Sequence, residues 1–171
     1  MGDPQWRAGL ARLESHELVF DPMVFPSQLA QAERQTRDFP NQLFVLNHCG
    51  SPIDRDPDGM RRWREGLAIL GRAPNVSIKI SDLVVHDHHG TLEGLAEVVL
   101  HCLECFGVAP VLFASEFPVA GLHASFGEAY DAFNAIASQL SQMSKGLCSL
   151  PMRRPLIFDA TLDQRSGAAR E

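Results

Sequence analysis

The feature that most constrains this chain is an alternation repeated four times: a short apolar stretch ending in a polar residue, then a stretch with helical spacing. The apolar stretches are Leu18-Val-Phe-Asp-Pro-Met-Val24, Leu43-Phe-Val-Leu-Asn-His-Cys-Gly50, Val76-Ser-Ile-Lys-Ile-Ser-Asp-Leu83 and Val111-Leu-Phe-Ala-Ser-Glu-Phe-Pro118. Runs this short and this apolar read as strands covered on both faces, the habit of parallel sheets. Parallel strands require a crossover, and helices supply it with a right-handed turn. The pattern therefore predicts an α/β fold, a partial (β/α)8 barrel of about four βα units. Polar groups at the carboxyl ends of such strands are where chemistry is placed. Here they are Asp21, His48, Lys79 with Ser81, and Glu116.

The helical stretches follow the same logic. Trp6, Leu10 and Leu13 recur at helical spacing after Pro4, ahead of the first strand, and Pro26 opens a segment to Phe39 with a thin apolar stripe. Met60, Trp63, Leu67 and Leu70 form one stripe that Gly71 can stop. Thr91 caps a helix carrying Leu92, Leu95, Ala96, Val99, Leu103 and Phe106, and Gly107 ends it. A last helix begins near Ser125 with Phe126, Tyr130, Phe133, Ile136 and Leu140 aligned. Residues 1–142 are thus expected to form the barrel unit. Residues 143–171 lack a period and are expected to be an irregular tail, non-native or disordered. The 171 residues fall short of the roughly 250 of a complete barrel.

Composition narrows the partners. A net charge of −6 argues against a nucleic-acid binder, which would present a basic face. No apolar run approaches the roughly 20 residues that span a bilayer, and Met1-Gly-Asp-Pro-Gln-Trp6 lacks the pattern of a signal peptide. A cytoplasmic location is expected. The four cysteines agree: Cys102 and Cys105 form a C-x-x-C inside a helical stretch, without the second pair a zinc site would need. They are expected to be packed thiols, with Cys49 and Cys148 unpaired. No phosphate-cradling glycine loop and no G-x-S-x-G is present.

Among the strand-end groups, Glu116 shares a face with the small residue Ala114 and can bind a metal, take a proton from water or protonate a leaving group. A neighbouring cation could equally satisfy it. His48 can polarise a carbonyl or ligate a metal, or be a buried histidine bonded to backbone. Lys79 alternates against Val76, Ile78 and Ile80 and needs a partner, either an anionic substrate or Glu116 or Asp21. His86, His88 and His89 read better as a surface loop than as a metal cluster, and Asp54-Arg55-Asp56 as a solvated loop.

Taken in order, Leu18 to Leu29, Phe44 to Gly50, Ile53-Asp-Arg-Asp-Pro-Asp-Gly59, Asn75 to Ser81 and Phe113-Ala-Ser-Glu-Phe-Pro-Val119 resemble the amidohydrolase-related proteins. That family includes pyrone-dicarboxylate lactonases, fuconolactonase-like enzymes and aminocarboxymuconate-semialdehyde-type decarboxylases. The resemblance runs from residue 6 to about residue 142. It implies the carboxyl-terminal half of a TIM-like barrel hydrolase, acting on a lactone or other cyclic ester or amide of a small carboxylic acid. His48 and Glu116 fall on matched positions as catalytic and metal-binding residues, with Lys79 attracting the anionic substrate. A divalent metal, zinc first, is implied, although not every lactonase-like member depends on one. Two departures stand out. Glu116 occupies a place where members commonly carry Asp, and the family's amino-terminal His-x-His strand has no counterpart here. A truncated product is therefore expected. The alternative is a non-catalytic half-barrel that associates with a second chain as a homodimer.

Overall fold

The computed structural model describes residues 2–86 and 91–144. Its centre is a parallel sheet of three short strands in sequence order: β1 (Phe44–Leu46), β2 (Val76–Ile80) and β3 (Val111–Phe113). Phe44 pairs with Val76 and Leu46 with Ile78, while Ile78 pairs with Val111 and Ile80 with Phe113. Helices connect every pair, as parallel strands demand. α3 (Pro57–Leu70) links β1 to β2, and α4 (Leu83–His86) with α5 (Leu92–Phe106) links β2 to β3; α1 (Pro4–Ser15) and α2 (Leu29–Asp38) precede the sheet and α6 (Phe126–Ser144) follows it.

Three strands rather than four is a correction, and Pro22 explains it. The expected first strand does lie beside β1: the Phe20 amide donates to the Leu43 carbonyl, Val45 donates to Phe20 and Asn47 donates to Pro22, each at 3.0 Å. Proline has no N–H to return to β1, so the ladder stops at the single bridge from Phe20 to Phe44. The other strands are shorter than expected because the chain leaves the sheet before its polar residues. Leu83, expected at the end of the third strand, opens the short helix α4.

The helices sit where periodicity and caps put them. Asp56 accepts from the Gly59 amide at 2.8 Å and starts α3 earlier than its apolar stripe suggested. Thr91 accepts from Gly94 and Gly107 ends α5, as expected. Ser125 and Glu128 bond each other's backbone amides before α6, a reciprocal cap. The segment from Pro26 is a 3₁₀ turn followed by α2, whose inward side is partly polar: Gln35 and Thr36 are buried beside Leu29 and Ala32. α6 continues through Met143 to Ser144, past the expected boundary at 142. The rest of the expected 143–171 tail, from residue 145 on and with Cys148, lies outside the described residues, as do His88 and His89.

One sheet face is buried against the helices. Phe44, Leu46, Val76, Ile78, Ile80 and Val111 pack with Trp63, Leu67 and Leu70 of α3 and with Val98, Val99 and Cys102 of α5. The alternate positions, Val45, Ser77, Lys79 and Leu112, are only partly covered. Asn75, just before β2, fastens the lower end of this layer: its amide Nδ2 faces the carbonyls of Thr36, Phe39 and Gln42 at 3.1, 3.0 and 3.0 Å. Those carbonyls run from the last turn of α2 through the connection to β1, so one side chain stands in for water to all three. Replacing Asn75 with Ala is expected to cost about 2–4 kcal/mol by stranding these acceptors. Urea unfolding of the two proteins, compared at unchanged m-value, measures it.

Candidate active site

At the carboxyl edge of the sheet the backbone turns sharply in an unusual way. Directly after β1, four consecutive residues take left-handed conformations: His48, Cys49, Gly50 and Ser51, with φ of 53°, 55°, 70° and 50°. Asp82 after β2 and Glu116 after β3 do the same, with φ of 64° and 56°. For residues with a Cβ this conformation costs about 1–2 kcal/mol each, and such strain gathers where side chains are aimed for a task. Gly50 is needed for a second reason: a Cβ there would stand 3.3–3.5 Å from Leu29, Leu46 and Leu67. The turn is pinned from below by the Trp63 indole, which donates to the Cys49 carbonyl at 2.7 Å.

The turns bring three side chains together from three strands. His48 Nδ1 lies 2.9 Å from Ser81 Oγ and 3.5 Å from Glu116 Oε2. Ser81 is fully buried and His48 nearly so, while about a third of the Glu116 side chain is exposed. With both contacts on Nδ1, the opposite ring nitrogen is left for whatever enters the site. The carboxylate is thus the member open to water, and the imidazole is the member held in place. An apolar cavity lined by Asp82, Leu95, Ala114, Ser115, Phe133 and Ile136 adjoins this cluster in sequence, but neither His48 nor Glu116 lines it.

Lys79 does not join them. Its ammonium pairs with Asp21 Oδ2 at 2.7 Å, one of the partners its position in the strand allowed. Both are strand-end candidates, and the register of the first segment against β1 and β2 makes them neighbours on the partly covered face. Arg62 lies 3.5 Å from Asp54, tying that loop to α3. Sequence reasoning placed Ser81 with Lys79 among the strand-end groups but gave it no role of its own. The signal was its place in the Ser77, Lys79, Ser81 alternation, but a hydroxyl without a partner in view carries no chemistry, and the partner is His48, a strand away.

The donor set was tested against the implied metal. His48 and Glu116 are two donors, and Nδ1 already faces a hydroxyl; among the described residues no group of three His, Cys, Asp or Glu could hold an ion. A zinc site needs three protein ligands at least. These residues do not fit one on their own, and no step is assigned to a metal. Among the described residues, no helix is long and apolar enough to cross a membrane.

The cysteines are packing groups here. Cys49 and Cys102 are fully buried, and Cys105 is half-buried beside His101 at 3.3 Å. A hydrogen bond with Cys49, reinforced by burial, holds the Cys102 thiol well above the usual range. Burial, then the neighbouring Glu104 charge, raises Cys105 too. Iodoacetamide on the folded protein is therefore expected to modify Cys105 and spare Cys49 and Cys102, with the Cys105 rate still climbing past the ordinary thiol pKa. Peptide mass mapping across a pH series reads this; early labelling of Cys102 would contradict it.

The chain is similar to known proteins over most of its length. A family profile described as amidohydrolase matches residues 1–145. A protein named y4mH from Sinorhizobium fredii is 35% identical over 133 residues, which make up 78% of this chain and 44% of that one. The L-fucono-1,5-lactonase of Burkholderia multivorans is 30% identical over 136 residues, 74% of this chain and 46% of the enzyme. A crystal structure of an amidohydrolase from the same organism, with bound zinc, superposes with a TM-score of 0.75 at 28% identity, covering 80% of this chain and 51% of its own. The chain spans about half the length of the curated relatives it matches.

Proposed function

This chain belongs to the amidohydrolase family, and from that premise we propose that it serves a hydrolase that opens lactones of small carboxylic acids. The observation that carries the reading is the meeting of His48 Nδ1 and Glu116 Oε2 at 3.5 Å on the carboxyl rim of a partial barrel. The lactonase name of a relative at 30% identity supports the substrate class. A cytoplasmic location and a small carboxylate as substrate belong to the same proposal.

The residues suit the chemistry. Glu116, partly open to solvent, takes a proton from water as the oxygen attacks the lactone carbonyl. The C–O π pair moves onto the carbonyl oxygen, and an N–H at His48 Nε2 donates to the oxyanion. On collapse the ring C–O bond breaks, and Glu116 returns its proton to the leaving alkoxide. Water and lactone are consumed, hydroxy acid is formed, and both side chains end as they began. A glutamate reaches one methylene further than the aspartate common in the family, and the left-handed backbone at residue 116 is what brings its carboxylate back to His48. Lys79, engaged by Asp21, is left out of this scheme.

Glu116→Gln is expected to lower kcat/KM by about 10²–10⁴-fold on 1,4- and 1,5-lactones of sugar acids, the usual weight of a general base. His48→Gln should fall by a similar factor. A pH-indicator assay on the purified protein measures both. Unchanged turnover in Glu116→Gln would remove the carboxylate from the reaction.

A second reading, a half-barrel that associates with another copy of itself, is favoured by the apolar surface left around the sheet. Val19, Leu43 and Phe113 are 49%, 58% and 42% exposed. The rings of Phe117, Phe126, Tyr130 and Phe133 run on from Phe113 in an unbroken series of contacts. Such patches mark interfaces, and the part of this chain that matches one solved relative covers 51% of it, so two such parts together match its length. Light scattering on the eluting protein should then give twice the 18.8 kDa of one chain. A stable monomer at high concentration would dispose of this reading.

A further inference from the structure

We infer that Ser81 is a positioning residue that sets the tautomer of His48, and that it does so by donating its hydroxyl hydrogen to Nδ1. Ser81 has no exposed surface, and among the described residues its Oγ has a single hydrogen-bond partner, His48 Nδ1 at 2.9 Å. A hydroxyl carries one hydrogen that must be spent, since leaving it unpaired in the interior costs about 1–3 kcal/mol. Among the described residues the only acceptor it meets is the ring nitrogen. Nδ1 therefore carries a lone pair in the neutral ring, and the proton sits on Nε2, the nitrogen turned away from Ser81 and Glu116.

Glu116 pulls the other way. Its carboxylate oxygen, 3.5 Å from Nδ1, would be better served by an N–H at that position. The ring thus has two neighbours with opposite demands, and the shorter contact belongs to the serine. Remove the hydroxyl and the carboxylate is the remaining polar neighbour of Nδ1, so the proton moves there and Nε2 turns into an acceptor. A ring in that state faces an oxyanion with a lone pair. This matters for turnover only on the lactonase reading given above; the tautomer itself does not depend on it.

The test uses the whole protein labelled with ¹⁵N. Long-range ¹H–¹⁵N spectra at alkaline pH, where imidazoles are neutral, should place the His48 proton on Nε2. In Ser81→Ala it should shift wholly or largely to Nδ1, and in Ser81→Thr, which keeps the hydroxyl, it should stay on Nε2. With lactone, Ser81→Ala should lose about 10–100-fold in kcat with KM within about twofold, the pattern of a misdirected rather than a missing group. A wild-type ring protonated on Nδ1, or the same tautomer in wild type and Ser81→Ala, overturns the inference. A tautomer change that leaves kcat on an active lactone untouched overturns the positioning role of Ser81 in turnover. If no lactone is hydrolysed yet the ring responds to Ser81→Ala as stated, the lactonase reading falls and the tautomer assignment stands.

Discussion

The left-handed backbone at the strand exits is the constraint on which the rest of this structure depends. In ordinary extended or helical geometry, residues 48, 82 and 116 would follow the sheet outward, and their side chains would diverge with the twist. Left-handed φ values at His48, Asp82 and Glu116 fold the exits back over the sheet end instead. The cost, about 1–2 kcal/mol for each residue with a Cβ, needs a rigid floor. That floor is α3: Trp63, Leu67 and Leu70 are wholly buried, and the Trp63 indole holds the Cys49 carbonyl in the middle of the strained turn. Leu29 of α2 and Leu46 of β1 close in around Gly50. The strain and the packing that offsets it are thus adjacent, and the site inherits its geometry from both.

Much of this fold was legible in the sequence because its signals are local. The alternation of Val76, Ile78 and Ile80 against Ser77 and Lys79 states a half-covered strand. The apolar stripe from Leu95 to Phe106 between Thr91 and Gly107 states a helix with both ends marked. What was not legible depends on partners. A strand's length is decided by whether the next N–H finds a carbonyl across the sheet, so Pro22 curtails the first ladder although Leu18-Val-Phe reads as well as any strand. Nor does a His-Cys-Gly-Ser string announce left-handed backbone. Only its glycine favours that region, and the other residues are held there by packing the sequence does not display.

The candidate site follows the same division. Glu116 and His48 could be named because chemistry at strand ends is a rule of the architecture, and the structure puts them within 3.5 Å. Lys79 obeyed the same rule, yet Asp21 holds its charge. The difference is register: Asp21 follows the bridge residue Phe20, which sits opposite Phe44, and that places it on the Lys79 side of the sheet. Ser81 stood among the strand-end groups without a role for the opposite reason. A small hydroxyl gains importance only when it is buried against a ring whose two nitrogens do different things.

Ser81 also bears on why the two donors here behave unlike a metal half-site. A histidine that ligates a metal through one nitrogen carries its proton on the other, and gives it to a carboxylate, a carbonyl or water. For His48 to bind an ion through Nε2, Nδ1 would have to be the N–H, with Glu116 as its acceptor. Ser81 would then have to accept as well, and its own hydrogen would be left without a partner in a fully buried position. The donated hydroxyl selects the other arrangement, in which Nε2 offers a hydrogen to oxygen rather than a lone pair to a cation. The same three residues can serve either chemistry in principle. The location of one buried hydrogen decides between them, and the inference that Ser81 donates across its 2.9 Å contact to Nδ1 assigns that hydrogen to the serine.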